Sequence, residues 1–122
     1  MQAKRVGRYI NVTAEPGELL PERGESPAVQ FKAVLKKPAF FRLMRAIQAV
    51  AATSEDIAAM DAALDAAMEA VFECAFRTWT WLDENGKPLA PVSVETLINE
   101  LTLDEQAWML NAVSEVIGGS KN

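Results

Sequence analysis

Apolar and polar side chains alternate early in the chain. Val6, Arg8, Ile10 and Val12 interleave with Gly7, Tyr9, Asn11 and Thr13, a two-residue period that predicts one short strand. Residues 14–27 then combine Pro16-Gly17, Pro21, Gly24 and Pro27 with Glu15, Glu18, Glu22 and Glu25. Proline and glycine break regular structure and the carboxylates favour water, which predicts a long exposed loop. From Val29 the alternation returns, with Val29, Phe31, Ala33 and Leu35 on one side and Gln30, Lys32 and Lys36 on the other. This is read as a second strand that can pair with the first.

After Pro38, which suits a first helical turn, the period changes. Phe40, Leu43, Met44, Ile47, Val50 and Ala51 recur at spacings of three and four, the mark of an amphipathic helix. Thr53 and Ser54, followed by Glu55 and Asp56, supply cap oxygens and negative charge for a second helix running to about Arg77. Its large apolar residues Ile57, Met60, Leu64, Met68, Val71, Phe72 and Phe76 form one stripe, read as core. Asp61, Asp65, Glu69 and Glu73 make a slanted acidic row beside it. The rest is largely alanine, including Ala59, Ala63, Ala66 and Ala70. Such a surface is either simple helix propensity or a smooth face that a second helix can approach.

Thr78 to Leu82 suit an extended segment, with Trp79 and Trp81 pointing the same way and Asn85-Gly86 turning the chain. Beyond Pro88 and Pro91, Val94, Leu97, Ile98 and Leu101 suggest a short helix from Ser93. Thr102-Leu103-Asp104-Glu105 fits a capping box. The final helix shows Trp108, Met109, Ala112, Val113, Val116 and Ile117 on its apolar face, with Gly118-Gly119 as its stop. The expected fold is α+β and mostly α. It comprises a small N-terminal β element of about two strands followed by about four helices, with a short extended tryptophan-containing segment and turn before the last two. It forms a single domain over 1–122: the β element at 1–37 with the exposed loop at 14–27, a two-helix unit at 38–77, the aromatic turn at 78–92 and the C-terminal helices at 93–118.

Length and composition agree with this reading. A chain of 122 residues, half apolar and 24% charged, can bury a core as one domain without staples. Cys74 is the single cysteine, which leaves no internal disulfide, and the chain has no apolar run of signal-peptide or membrane-spanning length. A cytoplasmic location is expected. The net charge of −5 is unevenly spread: residues 1–45 carry nine basic and four acidic side chains, and residues 46–122 carry three and thirteen. Halves of about +5 and −10 either attract each other within one copy or bring unlike surfaces of two copies together, as in a homo-oligomer.

Chemistry-bearing patterns are sparse. The chain has no histidine, so it lacks the commonest general base and metal ligand near neutral pH. The acidic row could offer oxygen ligands to a hard cation, but one helix spreads them over several turns, and the Glu-x-x-His element of carboxylate metal bundles is missing. Asp83-Glu84-Asn85-Gly86 brings its glycine too early for a calcium loop. Cys74 lies on a helix flank with only Arg77 nearby, as a buried inert thiol would. Lys32, Lys36, Lys37, Arg42 and Arg45 could meet phosphates, yet the chain is acidic and has no groove-reading motif, which favours a protein surface over nucleic acid. No enzymatic activity, cofactor or metal is expected.

The segment Trp79-x-Trp81-x-Asp83-Glu84-x-Gly86-x-Pro88-Leu89, with Ser93-x-Glu95-x-Leu97 and a last helix containing Ala112-Val113, resembles the tail assembly chaperones of long-tailed phages and prophages. The resemblance covers residues 74–117, and residues 28–50 resemble the family's preceding strand and helix more loosely. The alanine-rich helix and its acidic row have no counterpart in the family pattern. The resemblance implies a helix-rich protein that works in the host cell cytoplasm and binds the tape-measure protein, and in some cases the tail-tube protein, during tail assembly. The alternative is a structural tail or head-tail component retained in the virion. The residues expected to bind protein are Ala59, Ala63, Ala66 and Ala70, the row Asp61, Asp65, Glu69 and Glu73, and any exposed part of Trp79, Trp81 and Trp108. The tryptophans read first as core anchors, since each buries a large area, and any exposed part as an interface.

Overall fold

The computed structural model describes residues 1–53, 55–90 and 93–119, with Gly118 and Gly119 described by backbone alone. Strands β1 (Gln2–Val6), β2 (Tyr9–Thr13), β3 (Ala28–Lys32) and β4 (Phe76–Trp79) form one antiparallel sheet in the order β1-β2-β3-β4. Helices α1 (Lys37–Ala52) and α2 (Ile57–Cys74) lie between β3 and β4 in the chain, and α3 (Val94–Asn99) and α4 (Leu103–Gly119) follow.

This corrects the expected fold class. The sheet has four strands interleaved with the helices, not a two-strand N-terminal element. Two local causes explain the difference. First, the alternation over 6–13 runs straight through a hairpin. Gly7 sits at φ +65° and Val6 faces Tyr9 across a two-residue loop, the arrangement of a type II′ turn with glycine first. The period is continuous in sequence, but the strand is folded in two.

Second, helix α2 ends at Cys74 rather than near Arg77, and the chain passes at once into β4. Phe76 and Trp79 are three residues apart and would point to opposite faces of a regular strand. The register shifts between Gln30 and Phe31, so that Phe31 faces Phe76 and Gln30 faces Thr78. The extra residue, Arg77, is a β-bulge, and it lets both aromatic rings turn inward. The extended segment expected from Thr78 therefore starts at Phe76 and joins the sheet as a strand, and the turn follows it.

Inner-face residues Val12, Val29, Phe31, Phe76 and Trp79 are buried with Leu43, Met68, Val71, Met109 and Val113 of the helices in one core. Burial falls towards the β1 edge. In the cross-strand row Phe76, Phe31, Ile10 and Arg5, the first two are buried, Ile10 is half-buried and Arg5 is exposed. The opposite face is polar, with Lys4, Asn11, Gln30 and Thr78 in register and the Gln30 amide donating to Asn11 at 2.9 Å.

The helix ends follow local chemistry. Asp56 caps α2 by accepting the Ala59 N–H at 3.1 Å, whereas Thr53 turns back to donate to the Ala49 and Val50 carbonyls of α1. Ser54, also read as a cap, lies outside the described residues, as does Pro91. The capping box of α4 forms in full: the Glu105 N–H donates to the Thr102 hydroxyl at 3.1 Å and the Thr102 N–H donates to the Glu105 carboxylate at 3.0 Å. Helix α4 continues through Gly118 and Gly119, so the glycine pair is not its stop within the described residues.

Candidate functional site

Two features organise the molecule around the segments singled out in the sequence: an aromatic column with a buried ion pair, and the outer surface of α2. In the column, Phe72 stacks on Phe76, Phe76 meets Trp79 edge-on, and Trp79 stacks on Trp81 with centroids 4.6 Å apart and planes 8° apart. Trp81 then contacts Trp108 of α4 at 5.7 Å. Trp79, Trp81 and Trp108 are only 8%, 1% and 5% exposed. They tie sheet, turn and last helix together and present almost no surface to a partner.

Beyond Trp81 the chain turns back on itself. The Trp79 indole N–H donates to the Leu89 carbonyl, and the Leu89 N–H donates to the Trp81 carbonyl at 2.9 Å. Asp83 organises the turn by accepting the Asn85 and Lys87 N–H groups, and Gly86 takes φ +76°. The acidic pattern read over Asp83–Gly86 thus builds a turn, in which short polar side chains hydrogen-bond their own backbone.

The loop at 14–27, expected to be exposed, carries a buried ion pair. Its neck is closed by the Ala14 N–H donating to the Pro27 carbonyl at 2.9 Å, and a 3₁₀ turn at Pro21–Arg23 carries Arg23 into the interior. Arg23 is 4% and Glu105 1% exposed. The guanidinium makes a two-pronged contact with the carboxylate, at 2.7 and 2.9 Å, and also donates to the carbonyls of Leu82 and Glu100. Four segments converge on it: the loop, the tryptophan turn, the end of α3 and the start of α4. Burial pushes the Glu105 carboxyl up, but the guanidinium and the Thr102 N–H outweigh it and hold the group below the usual carboxylate range. Sequence reasoning missed this pair because nothing local distinguishes Arg23 from any loop arginine, and Glu105 had a sufficient role in the capping box.

Helix α2 is split differently from the expectation. Leu64, Ala67, Met68, Ala70, Val71 and Cys74 are buried. Alanine at 67 and 70 lets the helix sit close to its neighbours, so part of the alanine face is used inside the fold. Among the residues expected to bind protein, Ala70 is core, Ala59 and Ala63 are half-buried, and Ala66 is exposed. Ile57, expected in the core stripe, is 82% exposed. It stands at the head of the acidic row, where Asp61, Glu69 and Glu73 are exposed and Asp65 is half-buried. Ala58, Ala62 and Ala66 run alongside, also exposed. Arg42 of α1 reaches Glu73 at 2.7 Å and Glu69 at 3.7 Å, which balances the C-terminal half of the row and leaves Asp61 and Asp65 without a cation among the described residues.

An open hollow of about 490 Å³ between the loop and the turn is lined in part by Glu22, Asp83, Glu84 and Glu100. Among the described residues no group of three acidic or cysteine side chains is set to hold a metal ion. Cys74 is buried, and Arg42 lies 3.9 Å from its sulfur. No helix of the described residues is long and apolar enough to cross a membrane. Compared with models of known protein families, with curated proteins and with solved structures, the chain matches none.

Proposed function

We propose that this chain is a non-enzymatic protein-binding domain that presents the outer stripe of α2 to a helical client. One observation carries the reading. A helix whose opposite side is core leaves at its surface a ridge of Ile57, Asp61, the half-buried Asp65, Glu69 and Glu73 at four-residue spacing, flanked by the exposed small residues Ala58, Ala62 and Ala66. Side chains four apart form a continuous ridge, and a flanking row of alanines lets a second helix lie close to it. An 82% exposed isoleucine supplies an apolar anchor at one end.

The narrower reading is a tail assembly chaperone that holds the tape-measure protein in the host cytoplasm until tube subunits enclose it. Its support is the resemblance of residues 74–117, whose Trp79, Trp81, Asp83 and Gly86 serve the fold rather than the surface. In this account the resembling segment builds the scaffold and α2 makes the contact. Co-expression with the tape-measure protein of the same phage should raise that protein's soluble fraction and yield a co-purifying complex. Unchanged solubility with no complex would refute the chaperone reading.

A further inference from the structure

Between the β1–β2 hairpin and the segment that joins β3 to α1 lies an open hollow of about 700 Å³. Arg5, Arg8, Lys32 and Lys36 surround a floor of Tyr9, Val34 and Leu35, and no acidic side chain lines it. Val34 is 71% exposed. The Arg77 guanidinium lies over the Tyr9 ring at 4.3 Å and adds positive charge beside it. Among the described residues Arg5, Arg8, Lys32 and Lys36 form no ion pair. The same chain also carries Asp61 and Asp65 without a cation, next to the exposed Ile57. Each surface thus combines unbalanced charge of one sign with one exposed aliphatic side chain.

Within one copy the two surfaces make no ion pair among the described residues, and Ile57 stands at the far end of α1 from the hollow. The hollow lies at the N-terminal end of α1, beside Val34–Lys36. The unbalanced half of the acidic ridge starts just after the turn that follows the C-terminal end of α1. Sixteen helical residues separate those ends, a distance of about 24 Å at 1.5 Å per residue. We propose that the Ile57–Asp65 part of α2 in one copy docks into the basic hollow of a second copy, with Ile57 against Val34 and Leu35 and the two aspartates among Arg5, Arg8, Lys32 and Lys36. The contact joins unlike surfaces, so it repeats and produces a head-to-tail chain of copies rather than a closed pair. The inference rests on the reading of α2 as a binding surface and adds its partner: a neighbouring copy occupies the same stripe as the client and competes with it.

The test uses the whole protein and two folded variants with altered surfaces, Arg8→Glu with Lys36→Glu and Asp61→Asn with Asp65→Asn, each checked for native circular dichroism. In sedimentation at low salt the wild type should form species that grow with concentration. Raising salt from about 50 to 500 mM should weaken the association at least about tenfold, because it shortens the screening length below the reach of these charges. Each variant alone should stay monomeric, and an equimolar mixture should form a one-to-one dimer that grows no further, since only one intact contact remains. A monomeric wild type at low salt, variants that still assemble, or a mixture that stays monomeric would overturn the proposal. So would loss of single-stranded oligonucleotide binding in the hollow variant with self-association unchanged. A wild type that binds its client but never self-associates would overturn this inference alone; one that self-associates but binds no client would overturn the functional reading.

Discussion

Replacing Arg23 by alanine should lower the stability of the fold by about 3–5 kcal/mol, the cost of leaving a buried carboxylate without its partner. The substitution strands Glu105, which is 1% exposed, and also leaves the Leu82 and Glu100 carbonyls without the donor they share. Urea unfolding followed by circular dichroism measures the loss directly. Glu105→Gln should cost less, because an amide can still accept the Thr102 N–H of the capping box. The pair also sets an acid limb. The Glu105 carboxyl titrates lower in the folded chain than in the unfolded one. Its contribution is therefore fully present above the unfolded value, about 4.3 for glutamate, and is lost as pH falls through the lower folded value. Wild-type stability should decline across that window, and the decline should be shallower in Glu105→Gln. Equal slopes in the two proteins would contradict the assignment of the acid limb to this pair.

The second large effect is expected at Trp81. Truncation to alanine removes a side chain that is 1% exposed and stacks on Trp79 at 4.6 Å, and large-to-small aromatic changes in cores cost about 3–5 kcal/mol. Trp81→Phe should cost clearly less. It keeps a ring against Trp79, and the Trp81 N–H it removes has no acceptor among the described residues, so no hydrogen bond is lost with it. Both variants should lose much of the near-ultraviolet dichroism that a stacked indole pair gives. A Trp81→Ala protein as stable as the wild type would show that the column does not hold the turn to α4.

Much of this architecture can be read from local patterns, and what escapes is non-local. The periods of three and four that define α1, α2 and α4, the Thr102–Glu105 box and the Asn85-Gly86 turn are each set within a few residues, and each element stands close to where its pattern places it. The sheet escapes local reading because strand number depends on partners. An alternating run looks the same whether it is one strand or a hairpin folded at Gly7, and β4 is a strand because β3 is beside it, with a bulge at Arg77 that no pattern announces. The Arg23 to Glu105 pair spans 82 positions, beyond any local signal.

On α2 the same limit decided which surface is free. Helical spacing identifies the acidic row, but not that Arg42 balances its far end, that Ala67 and Ala70 are used in the core, or that Ile57 falls outside it. Candidate binding residues in the sequence therefore divide into two groups. Trp79, Trp81, Trp108 and Ala70 hold the fold, while Asp61, Ala66, Glu69 and Glu73 remain at the surface, with Asp65, Ala59 and Ala63 half-buried between the two.

The proposed division of labour between a structural column and a binding stripe can be tested in a single co-purification with the proposed client, the tape-measure protein. Ile57→Lys combined with Asp61→Lys should abolish the complex while the protein keeps its wild-type melting temperature, and Trp81→Phe, though less stable, should retain the complex wherever it is folded. A surface variant that still holds the client, or a folded Trp81→Phe protein that releases it, would contradict the account.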